Sequence, residues 1–255
     1  MLKVRIIPMR KILLIFVSFF ILLLIFSGCS STDMELLKAN RLAGSKEIQP
    51  RLQAYEIYSK YASTNAQARS GLLAVCKSLG ISYTLENQYN EALKFLLQAL
   101  EMDPTQYIAH YYAGVCYANL WANEFSPTLK EEYKQKALMH YQITIEQVPS
   151  FTSAHYGLGF FYYQAMNDYK KAKEELEIVL KLDPKYVRAY FVLAQIAYLE
   201  GNLGLARDYY TKILSLLPSK DYRRQTVLDN IARIDAELNT KWISVLKIVE
   251  IILSL

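Results

Sequence analysis

The chain has 255 residues, of which 53% are hydrophobic and 13% aromatic, with 21 tyrosines among them. Its 29 basic and 24 acidic side chains give a formal charge of +5, but four of the basic residues, Lys3, Arg5, Arg10 and Lys11, crowd into the first eleven positions. Beyond residue 28 the balance is 25 basic to 24 acidic, which excludes a chain built to bind nucleic acid or an acidic surface by charge.

The basic start runs into Ile12–Phe26, apolar except for Ser18, and then Ser27-Gly28-Cys29. A charged n-region, a short apolar core and small residues before a cut describe a secretory signal. The core is shorter than the roughly 20 residues a spanning helix needs. The end of this segment is similar to a bacterial lipobox, with Phe26 where leucine is usual. That resemblance implies cleavage before Cys29, lipidation (palmitate) of Cys29 and attachment to the inner or outer membrane, facing the periplasm. Several acyl chains hold a protein on a membrane far better than one.

After a polar tether, Met34–Ala43 and Ile48–Ala62 read as two helices. Pro50 stands early in the second, where proline is tolerated. The pair has the look of a degenerate first hairpin within residues 29–72.

From residue 73 the pattern becomes regular. Pro104, Pro149, Pro184 and Pro218 mark it off, and each has an alanine twelve residues upstream: Ala92, Ala137, Ala172 and Ala206. Proline cannot continue a helix and pushes the preceding residue out of helical angles, so each marks a hairpin boundary. Upstream of each alanine lie Leu79-Gly80…Tyr83, Ala113-Gly114…Tyr117, Leu158-Gly159…Tyr162 and Leu193-Ala194…Ala197. These residues resemble the tetratricopeptide repeat, whose period is 34 residues. The resemblance covers 73–106, 107–151, 152–186 and 187–220. It implies an all-α, right-handed superhelix, an α-solenoid of about five hairpins with capping helices, in which stacking supplies the core that no single hairpin has. The second copy carries eleven extra residues. Ser126-Pro127 is a helix-start signal, predicting a long helix Pro127–Gln147 whose tip is either a partner contact through Trp121, Phe125 and Tyr133 or only a solvated extension.

The resemblance also implies which residues line the concave groove: Lys77, Ile81 and Thr84; Tyr111, Val115 and Asn119; Tyr156, Phe160, Tyr163 and Gln164; Arg188, Phe191, Gln195 and Tyr198. Some relatives grip a peptide carboxylate there through asparagine and paired cations. Ile81, Val115, Phe160 and Gln195 occupy the asparagine position in this chain, so the groove is expected to take an apolar helix or extended peptide on aromatic anchors. The competing reading for any one ring is plain core packing, and the chain's own tail is a second candidate occupant.

Past Pro218, Asp221–Leu238 reads as a capping helix with Val227, Leu228, Ile231 and Ile234 inward and Arg223, Arg224 and Arg233 outward. Thr240–Leu255 reads as a separate apolar helix. Docking on the array, pairing with a second copy, or lying in a membrane interface all suit it.

No phosphate-cradling glycine loop, nucleophile elbow or zinc-protease pair is present. His110, His140 and His155 read as packing residues and Cys76 and Cys116 as buried thiols. The expectation is a non-catalytic, lipid-tethered scaffold without cofactor or metal, binding a protein or peptide in the bacterial cell envelope. The roles open to it are outer-membrane assembly, secretion and cell-wall enzyme recruitment. The alternative is an accessory subunit of a periplasmic uptake system receiving a hydrophobic small molecule.

Overall fold

A computed structural model describes residues 31–253. Cys29 and the signal segment 1–28 lie outside the described residues. Eleven α-helices follow one another, with no strand among the described residues. They are α1 (Ser31–Ala43), α2 (Ile48–Tyr61), α3 (Ala66–Leu85), α4 (Tyr89–Met102), α5 (Tyr107–Asn123), α6 (Pro127–Gln147), α7 (Thr152–Phe161), α8 (Tyr169–Leu182), α9 (Val187–Leu199), α10 (Leu203–Leu216) and α11 (Arg223–Leu253). The first ten pair into five hairpins, each packed on the next. The first helix of a hairpin also packs on the first helix of its neighbour, α1 on α3, α3 on α5 and α5 on α7. The second helices make no comparable contact with one another. The closer spacing on one side curves the stack, and the first helices line its inner face.

Each proline acts as its chemistry requires. The residue before it is extended, with ψ of 98° at Asp103, 82° at Val148, 94° at Asp183 and 134° at Leu217, and the helix stops there. The next first helix is then tied back to the proline. His110 Nε2 lies 3.1 Å from the Pro104 carbonyl, His155 Nε2 lies 2.9 Å from that of Pro149, and the Tyr190 hydroxyl donates to that of Pro184 at 3.1 Å. The offset is six residues each time. The equivalent Cys76 follows a boundary without proline and points instead at Gln98 Oε1, 3.6 Å away.

The alanines twelve residues before the prolines are all fully buried. They mark where two helices of a hairpin approach closely. A Cβ on Gly80 would meet Leu96 at 2.5 Å and the Ala92 carbonyl at 3.3 Å. One on Gly159 would meet Leu176 at 3.1 Å and the Ala172 carbonyl at 3.2 Å. Small residues on both helices set this short interaxial distance.

Helix starts are capped by side chains: Asn65, Ser126, Asp168 and Asn202 accept from the amides of Ala68, Leu129, Lys171 and Leu205. Three hairpin tips turn through a left-handed residue, Asn87 at φ 60°, Asn167 at 51° and Gly201 at 76°, types that tolerate that region. The extra residue near Met166 is absorbed by a π-turn, Tyr162–Met166, at the end of α7.

The first hairpin is joined to the array by a buried cation. Arg51 donates to the carbonyls of Glu47, Lys46 and, across to α3, Ser78. The longer α6 leaves the array at its tip, where Glu124 Oε1 accepts from the amides of Phe125 and Ser126. Trp121 and Tyr133 pack inside the array, on Phe161 and Tyr117. Phe125 alone of the three projects, 96% exposed.

The end of the chain corrects the expectation of two helical pieces. Asn239 and Thr240 contain no breaker, so the hydrogen-bond ladder continues and α11 is one helix of 31 residues. Its first half buries Val227 and Ile234 and packs on α10. Leu228, expected inward, is exposed. At 1.5 Å per residue α11 is about 46 Å long, so its second half runs past the last hairpin. Trp242, Ile243 and Val249 are 65%, 55% and 44% exposed, so these three side chains neither dock on the array nor fill the groove. No helix among the described residues is long and apolar enough to cross a membrane.

Candidate binding groove

The inner face carries a nearly continuous run of rings. At its near end Tyr111 stands edge-on to Phe151 at 5.2 Å and to Tyr112 at 5.0 Å. Tyr156 stacks on Phe160 at 5.9 Å with planes 13° apart, and meets Tyr186 at 5.1 Å. Phe160 reaches Tyr163 at 6.3 Å, and Tyr163 reaches Tyr169 at 6.1 Å. Phe191 stands edge-on to Tyr210 at 6.2 Å. Tyr111, Tyr156, Phe160, Tyr163, Phe191 and Tyr198 are all half-buried: each ring gives one side to the core and leaves another open. Arg188 and Gln195 are exposed among them. Burial pushes the Tyr111 phenol up to about 12 and raises that of Tyr156, while the nearby Arg188 pulls the other way at both. These hydroxyls stay neutral and serve as hydrogen-bonding tips on apolar rings.

Lys77 does not join this row. It donates to Gln106 Oε1 at 2.5 Å, at the foot of the second hairpin. Its charge therefore supports the turn rather than the middle of the groove.

Where the groove meets the terminal helix there is a pocket of about 160 Å³, lined by Tyr163, Gln195, Tyr198, Leu199, Tyr210, Asn230 and Arg233. Arg233 is exposed, as the reading of α11 as an isolated helix placed it. In the fold its guanidinium lies 5.0 Å over the Tyr198 ring, a cation–π contact, and the Tyr198 hydroxyl donates to Glu237 Oε1 at 2.5 Å. That carboxylate is the first cause raising the Tyr198 phenol. Asn230, Arg233 and Glu237 recur at i, i+3 and i+7 along one side of α11, and that spacing was the signal available in the sequence.

The histidines sit behind the groove. His110 pairs with His140, Nδ1 to Nδ1 at 2.9 Å, rather than with His155. His155 Nδ1 instead faces Glu175 Oε2 at 2.6 Å. No group of three metal-ligating side chains occurs among the described residues. Cys76 and Cys116 are buried and free, and burial pushes their thiols up to about 12 and about 11. Both are therefore poor nucleophiles.

Residues 76–106 and 162–221 match family models described as tetratricopeptide repeat. A curated relative, the human antiviral innate immune response effector IFIT1, is 28% identical over 112 residues, covering 40% of this chain and 23% of that protein. The chain therefore spans under a quarter of that relative's length. Among solved structures, the human IFIT1 dimer with PPP-AAAA superposes at TM-score 0.58 and 20% identity over 81% of this chain and 47% of that one. MamA from Desulfovibrio magneticus RS-1 gives 0.56 and 17% over 74% and 97%. A thermophilic TPR protein of Thermus thermophilus gives 0.53 and 18% over 82% and 99%. At these identities the likeness concerns the fold. The chain carries tetratricopeptide repeats and folds as an all-α tetratricopeptide-repeat superhelix.

Proposed function

We propose that this chain is a non-catalytic scaffold, lipid-tethered through Cys29 in a bacterial cell envelope, that holds a protein or peptide partner on the aromatic inner face of its array. The observation that carries the reading is the row of half-buried rings on α5, on α7 and the π-turn that ends it, and on α9. A fully packed core would cover these rings, and a surface meant for water would not carry six of them side by side. Outer-membrane assembly, secretion and cell-wall enzyme recruitment are the settings that suit such a scaffold. The uptake reading needs a chamber for a small molecule. Such pockets run to about 300–1,000 Å³ and are mostly apolar. The 160 Å³ pocket on the groove suits a single side chain of a peptide better. A larger one of about 510 Å³ is lined mainly by polar residues, Lys46, Glu47, Gln49, Glu86 and Gln88, away from the aromatic row. Human IFIT1 is solved with PPP-AAAA, but the near-balanced charge beyond residue 28 and the few groove cations favour a peptide over RNA.

The test is affinity capture from detergent-solubilised envelopes with the wild-type chain and the Tyr156→Ala/Phe191→Ala variant. The wild type is expected to retain a discrete protein partner, and the variant to lose about tenfold or more of it with an unchanged circular dichroism spectrum. Undiminished capture by a folded variant contradicts the groove. In the same cells, incorporated palmitate is expected to disappear on Cys29→Ala, and label that survives contradicts the tether.

A further inference from the structure

The pocket at the end of the groove has a hydrogen-bonding inventory that the array does not use. Tyr210 is only 3% exposed as a residue, but its side chain lines the pocket, and its hydroxyl, which makes no hydrogen bond among the described residues, opens into that space rather than being sealed in the core. A hydroxyl that opens into the pocket with no protein partner is free to donate to a ligand there. Tyr163 and Gln195, which also line the pocket, likewise make no hydrogen bond among the described residues. The fourth contributor is Arg233. Asn230 Oδ1 accepts from its Nη2 at 3.1 Å and the Tyr198 ring supports its plane, so the guanidinium is oriented but forms no ion pair. The neighbouring Glu237 carboxylate is engaged by the Tyr198 hydroxyl.

Two phenols, a primary amide and an oriented guanidinium supply donors around a space large enough for a carboxylate. Along the rest of the face the position that holds a carboxylate in some relatives carries Ile81, Val115, Phe160 or Gln195 instead of asparagine, and Asn119 is engaged with the Val115 carbonyl. This donor set arises only because α11 crosses the end of the groove. We infer that this pocket binds a carboxylate of the partner peptide, Arg233 meeting it with charge-assisted hydrogen bonds and the Tyr163, Tyr210 and Gln195 tips completing its shell, while the aromatic row takes the adjoining apolar side chains. The carboxylate belongs to an acidic side chain or to the peptide's C-terminus, since both present the same two oxygens. The inference rests on the groove reading above and adds the chemical end-group that fixes the register of the bound segment.

The test uses the full chain in detergent and three fluorescein-capped peptides, each beginning Phe-Leu-Phe-Leu. One ends in alanine with a free C-terminus, one in aspartate amide and one in asparagine amide. Fluorescence polarisation is expected to show at least one of the two carboxylate peptides binding about tenfold or more tighter than the asparagine amide, and which of the two does so identifies the source. Arg233→Met is expected to remove that preference while weak binding of the neutral peptide stays. Equal affinity for all three peptides, or a preference that survives Arg233→Met, overturns the carboxylate pocket and leaves the groove standing. Binding of none of the three overturns both.

Discussion

Replacing Leu96 by alanine is expected to cost about 2–5 kcal/mol of unfolding free energy, among the largest effects of any single truncation in this array. Leu96 is fully buried on α4 and sits directly against Gly80 of α3, where a Cβ would come within 2.5 Å of its Cγ. The helices cannot collapse onto the void, because the Gly80–Ala92 contact already holds them at their closest approach. Gly80→Ala alone is expected to cost about 1–3 kcal/mol from overpacking, partly offset by the better helix propensity of alanine. Combining the two should restore part of the loss, since the new methyl occupies the space the leucine leaves. Urea unfolding of the four proteins checks this: a double variant clearly more stable than the sum of the singles supports the packing described, and simple additivity contradicts it.

The second large effect is on pH. The Pro104 carbonyl can only accept, so His110 Nε2 donates to it. His110 Nδ1 is then an acceptor, and His140 Nδ1 supplies the proton between the rings. Burial, then the neighbouring His110, then Lys136 push His140 down to about 4 from its ordinary 6.5, and Tyr117 stacks on its ring at 5.6 Å. On acidification the unfolded chain takes up this proton before the folded one does. The stability from neutral His140 is therefore complete above about pH 6.5 and is lost as pH falls through 4, a change on the order of 3 kcal/mol. His140→Gln, unfolded by urea at pH 7, 5.5 and 4, is expected to lose less stability over that range than the wild type. Equal acid losses in the two proteins would contradict the assignment.

Much of the architecture was readable from residue spacing because its determinants are local. A proline stops a helix wherever it falls, and an alanine twelve residues earlier lets two helices touch whatever surrounds them. The tie from position 110, 155 or 190 to the carbonyl six residues upstream was equally periodic and could have been extracted from Pro104, Pro149 and Pro184 together. Other features were not local. The split expected near Asn239-Thr240 followed a change of composition, but composition does not break a helix when no glycine or proline is present. A helical wheel placed Arg233 facing solvent, where it is, but the wheel shows only which side of α11 is apolar and not the Tyr198 ring beside it. Its partner Tyr198 is 35 residues away in sequence. The pairing of His110 with His140 likewise depends on how two hairpin arms come together.

The groove claim is tested most directly by site-specific photocrosslinking in intact cells. Benzoylphenylalanine placed at Phe160, in the middle of the aromatic row, is compared with the same residue at Glu174, exposed on α8 of the outer layer. The account predicts one strong covalent adduct with a distinct envelope protein from position 160 and none from position 174. Adducts from position 174 alone, or no difference between the two positions, would contradict it.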